Sequence, residues 1–154
     1  MCCIHRGIKS AQDWWSNSSQ QVKSWTGYDG TPNIEEFTKG HVTLLDLSQP
    51  QNLSKADWVM SLEVGQHIPK ELESTYLSNI LEPVKEGLVL SWAVHGQGGR
   101  IKHFNELNNT QVEEKMAARG YYLDKTLRDN LREKAASYWF KKSLMVFRPN
   151  ATVQ

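Results

Sequence analysis

Three carboxylates each stand at or near the end of a short apolar run: Asp29 in "SWTGYDG", Asp46 in "HVTLLDL" and Glu63 in "DWVMSLEV". A carboxylate offers two acceptor oxygens and can hold both hydroxyls of a vicinal diol, which is stronger and more selective than a hydroxyl contact. Two histidines follow apolar runs in the same manner, His67 in "SLEVGQHIP" and His95 after "GLVLSWAV". An imidazole titrates near neutrality, so His67 is a candidate general base. Each residue also has a plainer reading. Asp before Gly commonly forms a turn, Asp46 ends a run without needing to bind anything, and His67 beside Pro69 equally braces its turn. His95 and His103, eight apart with Glu106 nearby, match no standard metal spacing, and no metal is expected. Between them Gly96, Gly98 and Gly99 make a flexible loop. It is either a substrate lid, with Trp92 as apolar wall and His95 at its base, or an ordinary surface loop.

These residues need elements to position them. "DWVMSLEV" and "GLVLSWAV" are nearly continuous apolar segments, as expected of strands buried on both faces of a parallel sheet, and should be central. "SWTGYDG" and "HVTLLDL" read as shorter strands, with room for a helical turn or two in "PNIEEFTKG". Leu72, Tyr76 and Ile80, with Leu77 and Leu81 beside them, form one apolar helical stripe after Pro69. Strand, crossover helix and strand then make a right-handed βαβ unit. Further on, Thr110 and Glu113 predict a capping box and Gly120 a helix stop in "NTQVEEKMAARG". "YYL" is a brief strand, and a helix follows over about 124–136. "WFKKSLMVFR" is the last strand, with Trp139, Phe140 and Phe147 in the core together with Val59, Leu88 and Leu90. In open α/β sheets ligands bind beyond the carboxyl ends of the strands, where Asp29, Asp46, Glu63 and His95 all fall.

The 154-residue length is that of one domain, and a net charge of +1 supplies no field to attract nucleic acid or an acidic membrane. The two cysteines, Cys2 and Cys3, are adjacent and make a poor structural disulfide, which suits a reducing compartment and the cytoplasm. No run approaches the ~20 apolar residues of a membrane span.

The order of elements from Trp25 resembles class I S-adenosylmethionine-dependent methyltransferases from their second strand onward. "GYDG" looks like the family's second strand end, "LLDLS" its third, "SLEVGQHIP" its fourth strand and turn, and "GLVLSWAVHGQGG" its fifth strand and substrate-side loop. The "LEVxxHIP" pattern is similar to the branch that methylates small molecules on oxygen or nitrogen. The resemblance spans residues 25–148 and rests on order and spacing, each motif alone being weak. It implies an α/β fold, a Rossmann-like, mostly parallel sheet with helices on both faces and an antiparallel last strand. It implies S-adenosylmethionine as cofactor, with Asp29 and Gly30 at the ribose, Asp46 and Leu47 at the adenine, and Glu63 and His67 at the mouth of the site. Where many relatives have an acidic residue before the histidine, this chain has Gln66.

One family feature is missing from the sequence. The glycine-rich cofactor loop should lie about 20 residues before Asp29, yet residues 1–28 contain only Gly7 and Gly27 and no G-x-G. Residues 1–24 therefore read as a polar, poorly structured leader, residues 25–148 as a partial domain, and 149–154 as a tail. The expected fold is N-terminally incomplete: loss of a mid-sheet first strand leaves two unpaired edges or a rearranged pairing. The implied function is methyl transfer to a small-molecule acceptor, inactive if the chain is a truncated copy. The alternative is a non-catalytic remnant that self-associates or pairs through an exposed sheet edge. A nicotinamide-dependent oxidoreductase is a third class, which also needs a glycine-rich loop.

Overall fold

A computed structural model describes residues 2–3, 24–93 and 103–150. Seven strands form one sheet: β1 (Cys2–Cys3), β2 (Gly27–Asp29), β3 (Val42–Leu44), β4 (Ala56–Leu62), β5 (Val84–Ser91), β6 (Tyr121–Leu123) and β7 (Met145–Pro149). Their spatial order is β3-β2-β1-β4-β5-β7-β6. The first five strands run parallel, and β7 enters antiparallel between β5 and β6. The helices are α1 (Ile34–Phe37), α2 (Glu73–Leu81), α3 (Asn109–Ala117), α4 (Lys125–Lys134) and α5 (Phe140–Ser143), with 3-10 turns at Gly65–His67 and Lys70–Leu72. Among the described residues no helix is long and apolar enough to cross a membrane.

The apolar runs explain the centre of the sheet. Strands β4 and β5 pair from Ala56↔Val84 to Leu62↔Ser91. Val59, Leu88, Leu90, Met145 and Phe147 pack with Tyr76, Leu77 and Ile80 of α2 and Val112 and Met116 of α3. Each large side chain fully buried in this way contributes about 1.5–3 kcal/mol. A smaller cluster joins Leu62 to Ala135 and Leu144, flanked by Met60, Val89, Leu131 of α4 and Phe140 of α5. Helices therefore serve both clusters, as the alternation of a pleated sheet requires.

Three expectations are corrected. The mid-sheet position is filled: Cys2 and Cys3 pair with Gly27 and Tyr28 on one side and with Met60 and Ser61 on the other. The two edges predicted to lie unpaired are thus joined, through backbone pairing too short to leave a hydrophobic period. The rest of the expected leader and the glycine-poor stretch, residues 4–23, lie outside the described residues, as does the tail from 151 on. The capping box of α3 uses Asn108 and Gln111 rather than Thr110 and Glu113, with Gln111 N donating to Asn108 Oδ1 at 2.9 Å and Asn108 N to Gln111 Oε1 at 2.9 Å. Gly120 stops the turn after it with φ +80°. Trp139 and Phe140 are not on the last strand. Trp139 is 46% exposed, Phe140 begins α5, and only Phe147 of the three lies on β7, where it is buried.

The β3 edge is chemically occupied. Leu45 N donates inward to Asp29 O at 3.0 Å, so the N–H groups of Val42 and Leu44 face outward. Val42 N donates to Thr38 Oγ1 at 3.1 Å and Leu44 N to Glu35 Oε1 at 3.3 Å. Side chains of α1 and its C-cap thus take up the hydrogen-bonding groups of the edge strand.

Candidate functional site

Parallel strands bring their carboxyl ends to one rim. Asp29 is the last residue of β2, Asp46 lies two residues past β3, and Glu63 directly follows β4. His67 closes the 3-10 turn after β4, and Trp92 directly follows β5. The antiparallel β7 begins at the same rim, so α5 and Ser143 also stand there. His95 and the glycines of its loop lie outside the described residues.

Asp29 and Asp46 occupy adjacent strand ends. Asp29 Oδ1 accepts from Thr31 N at 2.8 Å, and Asp46 Oδ1 accepts from Ser48 N at 2.9 Å and Ser48 Oγ at 2.6 Å. Each carboxylate caps its own turn through Oδ1. A Cβ at Gly30 would stand 3.7 Å from Leu45 O, which is ordinary contact between the two adjoining strand ends. Leu47 does not offer its side chain to the rim; it is buried in the main core. The sequence held no signal for what fixes this loop. Asn79 of α2 donates to Leu47 O at 2.9 Å and Gln49 O at 2.7 Å, and its Oδ1 accepts from Gln51 N at 2.9 Å.

Glu63 sits in the left-handed region with φ +55°, a costly conformation for a side-chain-bearing residue, and its carboxylate is a hub. Ser91 Oγ donates to Oε1 at 2.8 Å, Ser143 Oγ to Oε1 at 3.4 Å and Gln66 Nε2 to Oε2 at 3.1 Å. The backbone joins in, with Glu63 N donating to Ser91 Oγ at 2.9 Å. Ser91, Ser143 and Gln66 are all buried. The residue expected at the cofactor thus ties β4, β5 and α5 together.

Trp92 is corrected from a pocket wall to a core residue. It is 0% exposed, its Nε1–H donates to Asn105 O at 2.6 Å, and its ring meets Tyr76 edge-on at 5.6 Å. Gly65 lies flat against it: a Cβ there would come within 2.5 Å of the indole. The physical reason is that the indole bonds Asn105 O, and Asn105 N in turn donates to Gln66 O, which holds the ring against the turn after β4. Tyr76 in turn shares a 2.7 Å hydrogen bond with Ser61.

Behind the rim, His67 and His103 meet at 5.3 Å in edge contact. His103 Nδ1 lies 2.7 Å from Glu106 Oε1. The turn carrying His103 is docked on the turn after β4, since Gln66 O accepts from Phe104 N at 2.8 Å and Asn105 N at 3.2 Å.

The strand order 3-2-1-4-5-7-6 with an antiparallel seventh strand, and acidic residues at the ends of the second and third strands, decides the architecture. This is the class I methyltransferase fold. Three solved structures illustrate the likeness. A magnesium protoporphyrin IX methyltransferase from Synechocystis PCC 6803 with bound SAH superposes with TM-score 0.51 at 16% identity over 81% of this chain and 64% of its own. The 1,6-didemethyltoxoflavin-N1-methyltransferase of Burkholderia thailandensis gives 0.56 at 13% identity over 81% of this chain and 60% of its own. A pericyclic reaction enzyme gives 0.56 at 15% identity over 90% of this chain and 39% of its own. This chain thus spans less than two thirds of the length of each. No family model and no curated protein sequence matches it. One architecture carrying methyl transfer in two of these proteins and a pericyclic reaction in the third shows that the fold does not fix the chemistry.

Proposed function

We propose that this chain binds S-adenosylmethionine at the Asp29–Asp46 rim and transfers its methyl group to an oxygen or nitrogen of a small-molecule acceptor. The observation that carries the proposal is the pair of carboxylates at adjacent strand ends, each using Oδ1 to cap its own turn. Asp29 would take the ribose hydroxyls, with the Gly30 backbone beside them, and Asp46 the adenine amino group, in the loop that Asn79 fixes. Glu63 shapes the mouth of the site through its three side-chain donors, and His67 closes the turn that follows it. The cofactor supplies an activated methyl group. The chain's contribution is to hold donor and acceptor in line and to exclude water, which accounts for most of the rate in such transfers.

Calorimetry on the full chain tests this. S-adenosylmethionine binds with a micromolar dissociation constant, and Asp29→Ala weakens it by about 10- to 150-fold, the equivalent of losing hydrogen bonds to a charged group. Absence of binding by the unaltered chain would refute the proposal. It would leave the second reading, a non-catalytic remnant acting as an interaction module, which the lack of any G-x-G in residues 1–28 favours. Adjacent cysteines without a partner elsewhere in the sequence suit the cytoplasm as the place of action.

A further inference from the structure

We propose that a second ligand site lies at the pole of the sheet opposite the carboxylate rim, and that it takes a small organic acid with an apolar body. A groove of about 910 Å³ opens there, where β4, β5 and β6 begin, α2 ends and β7 finishes. That volume falls within the range of small-molecule sites. The seven residues of β4 set it roughly 20 Å from Glu63. It therefore goes beyond the methyltransferase reading and shares no residue with the rim. Leu81, Val84, Tyr121 and Pro149 give the groove its apolar lining. Lys55, Lys85 and Arg119 stand around them, against a single lining carboxylate, Glu82.

Two of these cations are not neutralised within the protein. Lys55 Nζ donates to Glu82 O at 2.6 Å, and Arg119 Nη1 to Lys115 O at 3.0 Å. Both partners are main-chain carbonyls at the ends of α2 and α3, so each cation answers the negative end of a helix. An ammonium has three donors and a guanidinium five, and one of each is used. Lys85 differs, because Asp57 holds it at 3.4 Å. Among the described residues neither Lys55 nor Arg119 is paired with a carboxylate. Ser78, exposed on α2, adds a hydroxyl to the same lining. The Tyr121 hydroxyl is already engaged, donating to Leu81 O at 3.0 Å. A cationic ligand would meet three like charges here, and a neutral one would leave Lys55 and Arg119 unanswered. An anionic head on an apolar body satisfies both parts of the lining, whereas a bare inorganic anion covers none of Leu81, Val84 and Pro149.

Backbone amide spectra of the full chain, titrated with 2-naphthoate, test this, with 2-naphthamide as the neutral isostere and inorganic phosphate as the bare anion. 2-Naphthoate is expected to bind with a dissociation constant of about 1 mM or tighter. It should move the amides of Leu81, Val84, Gly120 and Tyr121 and leave those of Asp29 and Asp46 in place. Lys55→Gln and Arg119→Gln each weaken it by about 2- to 5-fold, the worth of an exposed charge pair. Lys134→Gln, outside the groove, leaves the affinity unchanged. Raising salt from about 0.05 to about 0.5 M weakens 2-naphthoate but not 2-naphthamide, a readout on the unaltered chain that needs no variant to fold. Equal affinity for the acid and its amide, phosphate binding as tightly with the same shifts, or shifts centred on the rim overturn the proposal. So do an absence of shifts and an affinity that survives both substitutions in variants of unchanged circular dichroism. S-adenosylmethionine takes no part in these titrations, so they stand apart from any failure of the rim reading.

Discussion

Replacing Gly65 by alanine probes how tightly the turn after β4 is pressed onto the core. The added Cβ would stand 2.5 Å from Trp92 Cζ3 and 2.6 Å from both Cε3 and Cη2, about an ångström inside ordinary contact on an aromatic face. The indole has no room to yield. It is 0% exposed, backed by Tyr76 at 5.6 Å and pinned through Nε1 to Asn105 O. Strain must therefore go into the backbone of Gly65–His67, at the usual cost of overpacking, about 1–3 kcal/mol. For a chain of this length that lowers Tm by roughly 2–4 °C per kcal/mol, so about 2–12 °C. Urea denaturation and calorimetric melting measure it. The cause is isolated by repeating the substitution in a Trp92→Leu background, where the penalty should shrink by at least 1 kcal/mol of coupling. Gly30→Ala, whose Cβ would lie 3.7 Å from its nearest neighbour, is the matched control and should change stability little. A Gly65→Ala variant as stable as the parent, or equally destabilised with and without Trp92, would refute this account of the packing.

Other consequences are equally open to measurement. Asn79→Ala strips two carbonyls and one N–H of the Asp46 loop of their partner, which should cost about 2–3 kcal/mol in urea unfolding and loosen cofactor binding in calorimetry. Glu63→Gln sets an amide donor against the Gln66 amide and should destabilise by about 1–3 kcal/mol. A variant indistinguishable from the parent would show that the Glu63 hub is not built from its charge. Tyr121 is partly buried, which raises its phenol above the ordinary value, and its hydroxyl donates to Leu81 O. Because the folded state favours the neutral phenol, its contribution is complete below the unfolded value near 10 and is lost as pH rises through the higher folded value. Stability should therefore fall steeply above pH 10, and Tyr121→Phe should flatten that fall.

Much of this architecture was legible in the sequence because buried parallel strands leave long apolar runs and amphipathic helices leave a period. Strands β4 and β5, the α2 stripe of Tyr76, Leu77 and Ile80, and the Gly120 stop all carried such marks. What failed had no local mark. A two-residue β1 has no period to detect. Asn108–Gln111 and Thr110–Glu113 are both capping patterns, and the choice falls where Asn109 docks on Lys142 O, a contact across 33 residues. Trp139 and Phe140 belong to a turn and a short helix because the run is broken by Lys141 and Lys142. The rim carboxylates were readable as strand ends. The bonds that hold the site, Ser91 to Glu63 across 28 residues, Ser143 to Glu63 across 80 and Asn79 to Leu47 across 32, were not, because polar pairs so far apart follow no spacing rule.

With Thr38 and Glu35 already holding the amides of Val42 and Leu44, a second polypeptide meeting that flank finds two of its hydrogen-bond donors already engaged. The exposed Asp46, a few residues beyond the guarded strand, is left facing open solvent, where a diffusing small molecule can reach it without competing against a neighbouring chain.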